Sequence, residues 1–252
     1  MTNIGVFDSG LGGLTVLREL YKHTKANYYY FGDTLRVPYG NRPKEEIEKF
    51  TYQIVDFLED FDIDFYVIAC NTISVSVLDK LEGKYKKKFF PITKAGLRAS
   101  EDFKGDFLVL GTKATVESHF YKKNIEKKTH SRVYEVPAIK LVDLIENGQS
   151  QGDKIDQALK EYLSLANEKK IENIILACTH YPIIKESIKK NLTYKANIIN
   201  PASYISDKLT SDLDESRIKI YLSKESRASK KLLAKLIDHP YTIDYVRIGD
   251  GD

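Results

Sequence analysis

The chain has 252 residues, with 39 basic and 36 acidic side chains for a formal net charge of +3, 42% hydrophobic and 30% charged. That length supplies a packed core for one large or two small domains. The near-balance of charge gives neither the basic excess nor the basic stripe of a nucleic-acid binder, and the absence of an apolar run of about 18 residues leaves no transmembrane helix indicated.

Short β-rich runs alternate with helix-like segments from end to end. "NIGVFDS" reads as a strand entering a glycine turn, and "GGLTVLRELYK" then places Leu14, Leu17 and Leu20 or Tyr21 at helical spacing. "NYYYFGD" is a second strand. From Lys44, Ile47, Phe50, Ile54, Phe57 and Phe61 mark one face of a helix that Pro43 can start. "DFYVIAC" is a third strand, followed by a helix over "TISVSVLDKLE", and "KKFFPI" is a short fourth. The run Lys86-Lys87-Lys88 between them reads as a solvated turn.

A second series comes next. "DFLVLGT" precedes a helix from about Ala114, and "RVYEVPA" precedes a helix through Ile145. One long amphipathic helix is expected near 153–169; then come "NIILAC", a helix from Pro182, and "ANIINPA". The tail adds "RIKIYLS", a helix over 226–237 and "YTIDYVRI". Runs such as Val67-Ile68-Ala69 and Ile174-Ile175-Leu176 lack alternation, as central parallel strands covered by helices on both faces do. The expectation is an α/β fold of two similar lobes, each a mainly parallel sheet flanked by helices. Ligands of such sheets bind beyond the carboxyl ends of the strands.

Both cysteines of the chain, Cys70 in "IACNT" and Cys178 in "LACTH", follow such strand ends. Without disulfide or CxxC spacing they fit a reducing compartment and make no zinc site. The start "MTNIGVFDSG" lacks a signal peptide's basic and apolar regions, so the cytoplasm is the expected location. Buried structural thiols are one reading. The other is a pair of thiol bases facing one cleft, each thiolate stabilised by the helix after it. Opposed bases suit removal of a proton from one face of a stereocentre and its return to the other.

"FDSGLGG" lacks GxGxxG spacing and a Walker lysine, so a nucleotide loop is weakly supported. Ser9 with backbone amides could bind a carboxylate, and Asp8 could accept a proton from an ammonium or orient a thiol; a helix N-cap pair competes. Pro38, Tyr39 and Gly40 form a tight loop at the same end of the sheet. Thr112 and Thr115 could cap a helix or bind an anion, whereas His119 reads as a surface or packing residue. His180, two residues past Cys178, could exchange a proton with substrate or thiol. Glu146 lies near a helix end that Asn147-Gly148 terminates.

The segments "IGVFDSGLGGLTV", "FGDTLRVPYG", "IACNT", "GTKAT", "LIENG" and "ACTHYP" together resemble glutamate racemases of the cofactor-independent aspartate/glutamate racemase superfamily, in family order and across nearly the whole chain. The resemblance implies two α/β domains with the active site between them, expected over 1–93 plus 204–252 and over 94–203. It implies interconversion of L- and D-glutamate without pyridoxal phosphate or metal, supplying D-glutamate for peptidoglycan. It assigns Cys70 as the base toward D-glutamate and Cys178 as the base toward L-glutamate, with Asp8 assisting the first, His180 the second, and Glu146 a further acid. Ser9, Pro38, Tyr39, Gly40, Asn71, Thr72, Thr115 and Thr179 match substrate-contact positions.

A homodimer is expected, with no nucleic-acid or membrane partner. "FFPITKAGLRAS" lacks the Glu-Pro of the family's interdomain segment, a departure that bears on hinge geometry. The start carries no extension of the kind found in members activated by a cell-wall precursor, so that regulation is not expected. The competing functions are an aspartate or other amino-acid racemase, a non-catalytic binding protein on the same fold, and a redox pair.

Overall fold

The computed structural model describes residues 2–206 and 213–249. Segments 207–212 and 250–252 of the expected first lobe lie outside them. Among the described residues ten strands form two sheets, and every pairing is parallel. The first sheet contains β1 (Asn3–Asp8), β2 (Asn27–Gly32), β3 (Phe65–Ile68), β4 (Lys88–Pro91), β9 (Arg217–Leu222) and β10 (Tyr241–Tyr245). Its order is β10-β9-β2-β1-β3-β4. The second contains β5 (Phe107–Gly111), β6 (Val133–Pro137), β7 (Asn173–Ala177) and β8 (Asn197–Ile199), ordered β6-β5-β7-β8. The first four strands of each lobe therefore share one arrangement, second-first-third-fourth, and the first lobe extends it with β9 and β10.

Central strands read as unbroken apolar runs because helices cover both faces. β5 and β7 are buried at every position, as is β1 from Ile4 onward. The first lobe's sheet carries α1 (Leu14–His23) and α11 (Arg227–Leu236) on the cluster around Leu17, Tyr28 and Ile220. On its other face α2 (Lys44–Leu58) and α3 (Asn71–Lys84) bury Ile54, Leu58, Ile73 and Leu81 with Phe7 and Tyr66. In the second lobe α7 (Ile139–Glu146), α8 (Asp153–Tyr162) and α10 (Lys185–Asn191) enclose Leu141, Leu159 and Ile188.

Several expected elements differ in detail. The helix expected over 153–169 is interrupted at Leu163, where φ is −95° and ψ 0°, into α8 and α9 (Ser164–Lys169). The helix expected from Ala114 is two, α5 (Lys113–Glu117) and α6 (Phe120–Thr129), parted by His119 in the left-handed region at φ 53°. After β7 a 3-10 turn, Tyr181–Ile184, precedes α10, and Phe61 lies in a 3-10 turn beyond α2. Helix α4 (Ile92–Ser100) is not among the elements expected from sequence. It packs on α3 and β4 of the first lobe and on α6, β7 and β8 of the second. The expected boundary near residue 94 falls in its first turn, and that near 203 in the 3-10 turn Pro201–Tyr204.

Ile175, buried on the strand between β5 and β8, and Ile243, half-buried on the edge strand β10, separate centre from edge. Ile175→Ala is expected to cost about 2–5 kcal/mol in urea unfolding, and Ile243→Ala clearly less.

Candidate active site

In each lobe the first and third strands part at their carboxyl ends, where the chain changes direction across the sheet. This is the crevice in which open parallel sheets bind ligands. In the first lobe it presents Ser9 after β1 and Cys70 after β3; in the second, Thr112 after β5 and Cys178 after β7. The two crevices meet in one narrow, partly open space. Its walls are Ser9, Pro38, Tyr39, Gly40, Cys70, Asn71 and Thr72 from the first lobe, and Thr112, Val142, Cys178, Thr179 and His180 from the second. The space is about 10 Å³, room for about one water molecule.

Missing side chains explain how the lobes come so close. A Cβ on Gly12 would lie 2.3 Å from Thr179 Oγ1 and 2.5 Å from His180 Nδ1, and one on Gly40 would lie 2.6 Å from Thr112 Cβ. The glycine loop therefore serves as a contact surface for the second lobe. Across this seam Thr179 Oγ1 donates to Asp8 Oδ2 at 3.1 Å and Thr15 Oγ1 to the Thr179 carbonyl at 3.0 Å. Leu11 N donates to Glu146 Oε1 at 2.9 Å, and Ala114 N to the Gly40 carbonyl at 3.0 Å. Thr72 and Thr112 share a hydroxyl hydrogen bond at 2.8 Å, and Tyr121 OH donates to Asn71 Oδ1 at 2.7 Å.

The two cysteines differ electrostatically. Burial, with the Asp8 charge adding to it, pushes the Cys70 thiol up to about 12, against the opposing pull of the Ile73 N–H and the Ser9 hydroxyl at 3.5 Å. The expected helix-stabilised thiolate is thus not what the structure gives at Cys70: desolvation outweighs the start of α3, and this sulfur keeps its proton at neutral pH. On the other side His180 Nδ1 lies 3.7 Å from Cys178 Sγ, and its Nε2 lies 2.6 Å from Glu146 Oε1. Burial disfavours a charged ring, but hydrogen bonds to Cys178 and Glu146 win and raise the imidazole well above its usual range. The ring is placed to hold a proton beside the second sulfur.

Of the residues expected at the site, Ser9, Pro38, Tyr39, Gly40, Asn71, Thr72, Thr179, His180 and both cysteines border the space. Asp8, Glu146 and Thr115 stand behind it. Asp8 has no exposed surface and accepts hydrogen bonds from Gly10 N and Thr179. Glu146 backs His180, and Thr115 shares a hydroxyl hydrogen bond with Thr112 at 2.9 Å. Thr112 caps α5 and borders the space at once. Asp8 and Ser9 do not cap α1, whose N-cap is Gly13. His119 pairs with Glu135 on the surface, away from the walls. Val142 is a wall residue that sequence reasoning misses, since nothing distinguishes it in sequence from the core residues of α7.

Burial lifts the Asp8 carboxyl to about 6 despite His180 and its hydrogen-bond donors. A folded pKa above the unfolded value favours the folded state below about pH 4, and that contribution is lost as pH rises through 6. Asp8→Asn removes the dependence. Denaturant unfolding is expected to show the variant gaining on the wild type by up to about 3 kcal/mol between pH 4 and 7.

The chain matches the family model described as Asp/Glu/Hydantoin racemase over residues 4–205. It is similar to glutamate racemase 2 of Caldanaerobacter subterraneus, 37% identical over 261 residues that span 97% of this chain and 98% of the relative. Among solved structures it superposes on a glutamate racemase of Bacillus anthracis with a TM-score of 0.89, 28% identity and 97% of each chain covered. It also superposes on the glutamate racemase of Francisella tularensis in complex with D-glutamate, with a TM-score of 0.85, 33% identity and 97% of each chain covered. From the family match, its extent and these likenesses, we conclude that the chain belongs to the Asp/Glu/Hydantoin racemase family.

Proposed function

We propose that this protein is a glutamate racemase that interconverts L- and D-glutamate by a two-base mechanism, with Cys70 and Cys178 as the two acid–base groups and no cofactor or metal. The observation that carries the reading is the placement of the two sulfurs, both buried, at equivalent strand ends of two like-ordered sheets, bordering one narrow space. Opposed groups of this kind address the two faces of one stereocentre.

In the L-to-D direction Cys178 takes the α-proton, with His180 and Glu146 beside it to hold or return a proton. Cys70, which retains its own proton, delivers it to the opposite face; the reverse direction exchanges the roles. One proton leaves Cα and one arrives, so the balance closes without a further reactant. The weak acidity of the α-proton demands preorganised donors in a dry site. Ser9, Asn71, Thr72, Thr112 and Thr179 supply polar groups around the space, together with the backbone of Pro38–Gly40. Thr115 acts through Thr112, and Asp8 through Thr179 and Cys70. Glutamate is far larger than one water, so the lobes part to admit it and close over it.

The same reading assigns the product D-glutamate to peptidoglycan synthesis, a cytoplasmic location and a homodimer. It divides the chain into domains over 1–93 plus 204–252 and over 94–203. No helix among the described residues is long and apolar enough to cross a membrane.

Incubation of the purified protein with L-glutamate in D₂O, without pyridoxal phosphate, is expected to remove the α-proton NMR signal while optical rotation decays to zero. Aspartate supplied instead is expected to exchange far more slowly. Cys70→Ser and Cys178→Ser are each expected to lower kcat/KM for racemisation by at least about 100-fold. Wild-type turnover in either variant would sink the two-base assignment.

A further inference from the structure

Asp33 is a buried carboxylate that borders no part of the space between the lobes, yet it gathers several parts of the site's framework. It has no exposed surface and stands just past the end of β2. Its backbone N–H donates to the Asp8 carbonyl at 3.2 Å, and its own carbonyl accepts from Arg36 N and Val37 N. On its carboxylate, Oδ1 accepts from Ser223 Oγ at 2.7 Å, and Oδ2 accepts from Arg36 Nε and from the Tyr39 hydroxyl. The Arg36 guanidinium balances the buried charge and lies 4.1 Å from the centre of the Phe50 ring.

Resting on the racemase reading above, we infer that Asp33 is a positioning residue: through the Tyr39 hydroxyl it sets the Pro38–Gly40 wall that receives the substrate. The phenol of Tyr39 is spent on Asp33. This side chain therefore serves the site by fixing its backbone and ring, not by offering a hydroxyl to glutamate. Burial and the Asp33 charge raise the phenol well above its usual range, so it remains a donor at every working pH.

The loop has two anchors. Gly40 at its far end is pinned by the second lobe, through Ala114 N and the close approach of Thr112. That anchor is lost when the lobes part. The Asp33 anchor lies wholly within the first lobe and keeps the wall in shape while the cleft is open. An interaction that presets the wall before closure acts on substrate binding, and it shows in KM ahead of kcat.

The test compares Tyr39→Phe, Asp33→Asn and their double variant with Thr34→Ala. The Thr34 hydroxyl exchanges hydrogen bonds with the Lys224 backbone at the neighbouring β2–β9 junction and takes no part in the Asp33–Tyr39 link. Tyr39→Phe is expected to raise KM for glutamate about tenfold, the worth of one hydrogen bond to a charged group, with kcat within about threefold of wild type. Asp33→Asn moves KM in the same direction. The double variant is no worse than the poorer single one, because both remove one interaction.

A second readout is independent of turnover. Alkylation of Cys70 and Cys178 by iodoacetamide, assigned by peptide mass spectrometry, is expected to speed up in Tyr39→Phe and stay at the wild-type rate in Thr34→Ala. Unchanged KM and unchanged alkylation in Tyr39→Phe would overturn the inference, as would equal shifts in Thr34→Ala or additive effects in the double variant. If Asp33→Asn does not fold, Tyr39→Phe carries the comparison. A wild type that exchanges no α-proton from glutamate counts against the racemase reading alone, and the alkylation rates then decide the role of Asp33.

Discussion

The carboxylate of Asp8 accepts one hydrogen bond from its own loop, at Gly10, and one from Thr179 in the other lobe. Neither is strong enough to cancel the cost of holding a carboxylate away from water, and its raised pKa records the difference. That shared burial sets the rest of the chemistry. The same exclusion of water keeps the proton on Cys70 and places the His180–Glu146 pair where their interaction is scarcely screened. A site of this kind exists only while the two lobes touch. The hydrogen bonds at Thr179, Leu11, Gly40 and Asn71 are thus as much a part of its electrostatics as the titrating groups themselves.

The lobes' common strand order explains why two distant sequence motifs occupy matching places. "IACNT" and "LACTH" close the third strand of each lobe, so each sulfur emerges beside the end of its own central strand. The chain leaves the two motifs differently. Cys70 leads directly into α3, whereas Cys178 leads into a 3-10 turn whose Tyr181 reaches back to the carbonyls of Gly111 and Ala138. His180 sits at the start of that turn with its ring between Cys178 and Glu146. One frame thus carries two thiols with different neighbours.

Much of this is legible in the amino acids. Unbroken runs such as Val67-Ile68-Ala69 announce buried parallel strands, and small polar residues after each cysteine mark the strand ends that border the shared space. Helix α4 is not legible. Lys94 and Arg98, one turn apart, are its exposed stripe, but Thr93, Gly96 and Ser100 are buried with the apolar side chains and blur the helical period. Gly96, a poor helix former, is present because the Tyr121 ring lies where its Cβ would be. The break at Leu163 is hidden because a leucine there suits either a continuous helix or a kink turned into the core. The state of Cys70 escapes the sequence for a different reason: a helix start is visible there, whereas the desolvation that overrides it is a property of both lobes together. Asp33 reads as an ordinary turn aspartate until Ser223, nearly two hundred residues later, is brought beside it.

The glycines at the seam bear on how fast such a site can work. Side chains that interlock across a joint must find their rotamers again at every cycle, and they leave sockets that water has to fill. Here Gly12 and Gly40 set bare main chain of the first lobe against Thr179, His180 and Thr112 of the second, and the links around them are hydrogen bonds that water can replace as they break. Each neutral exchange costs about 0.5–1.5 kcal/mol, and those on the Asp8 and Glu146 carboxylates about 1.5–3 kcal/mol. Separation at these two glycines therefore asks little of either sheet.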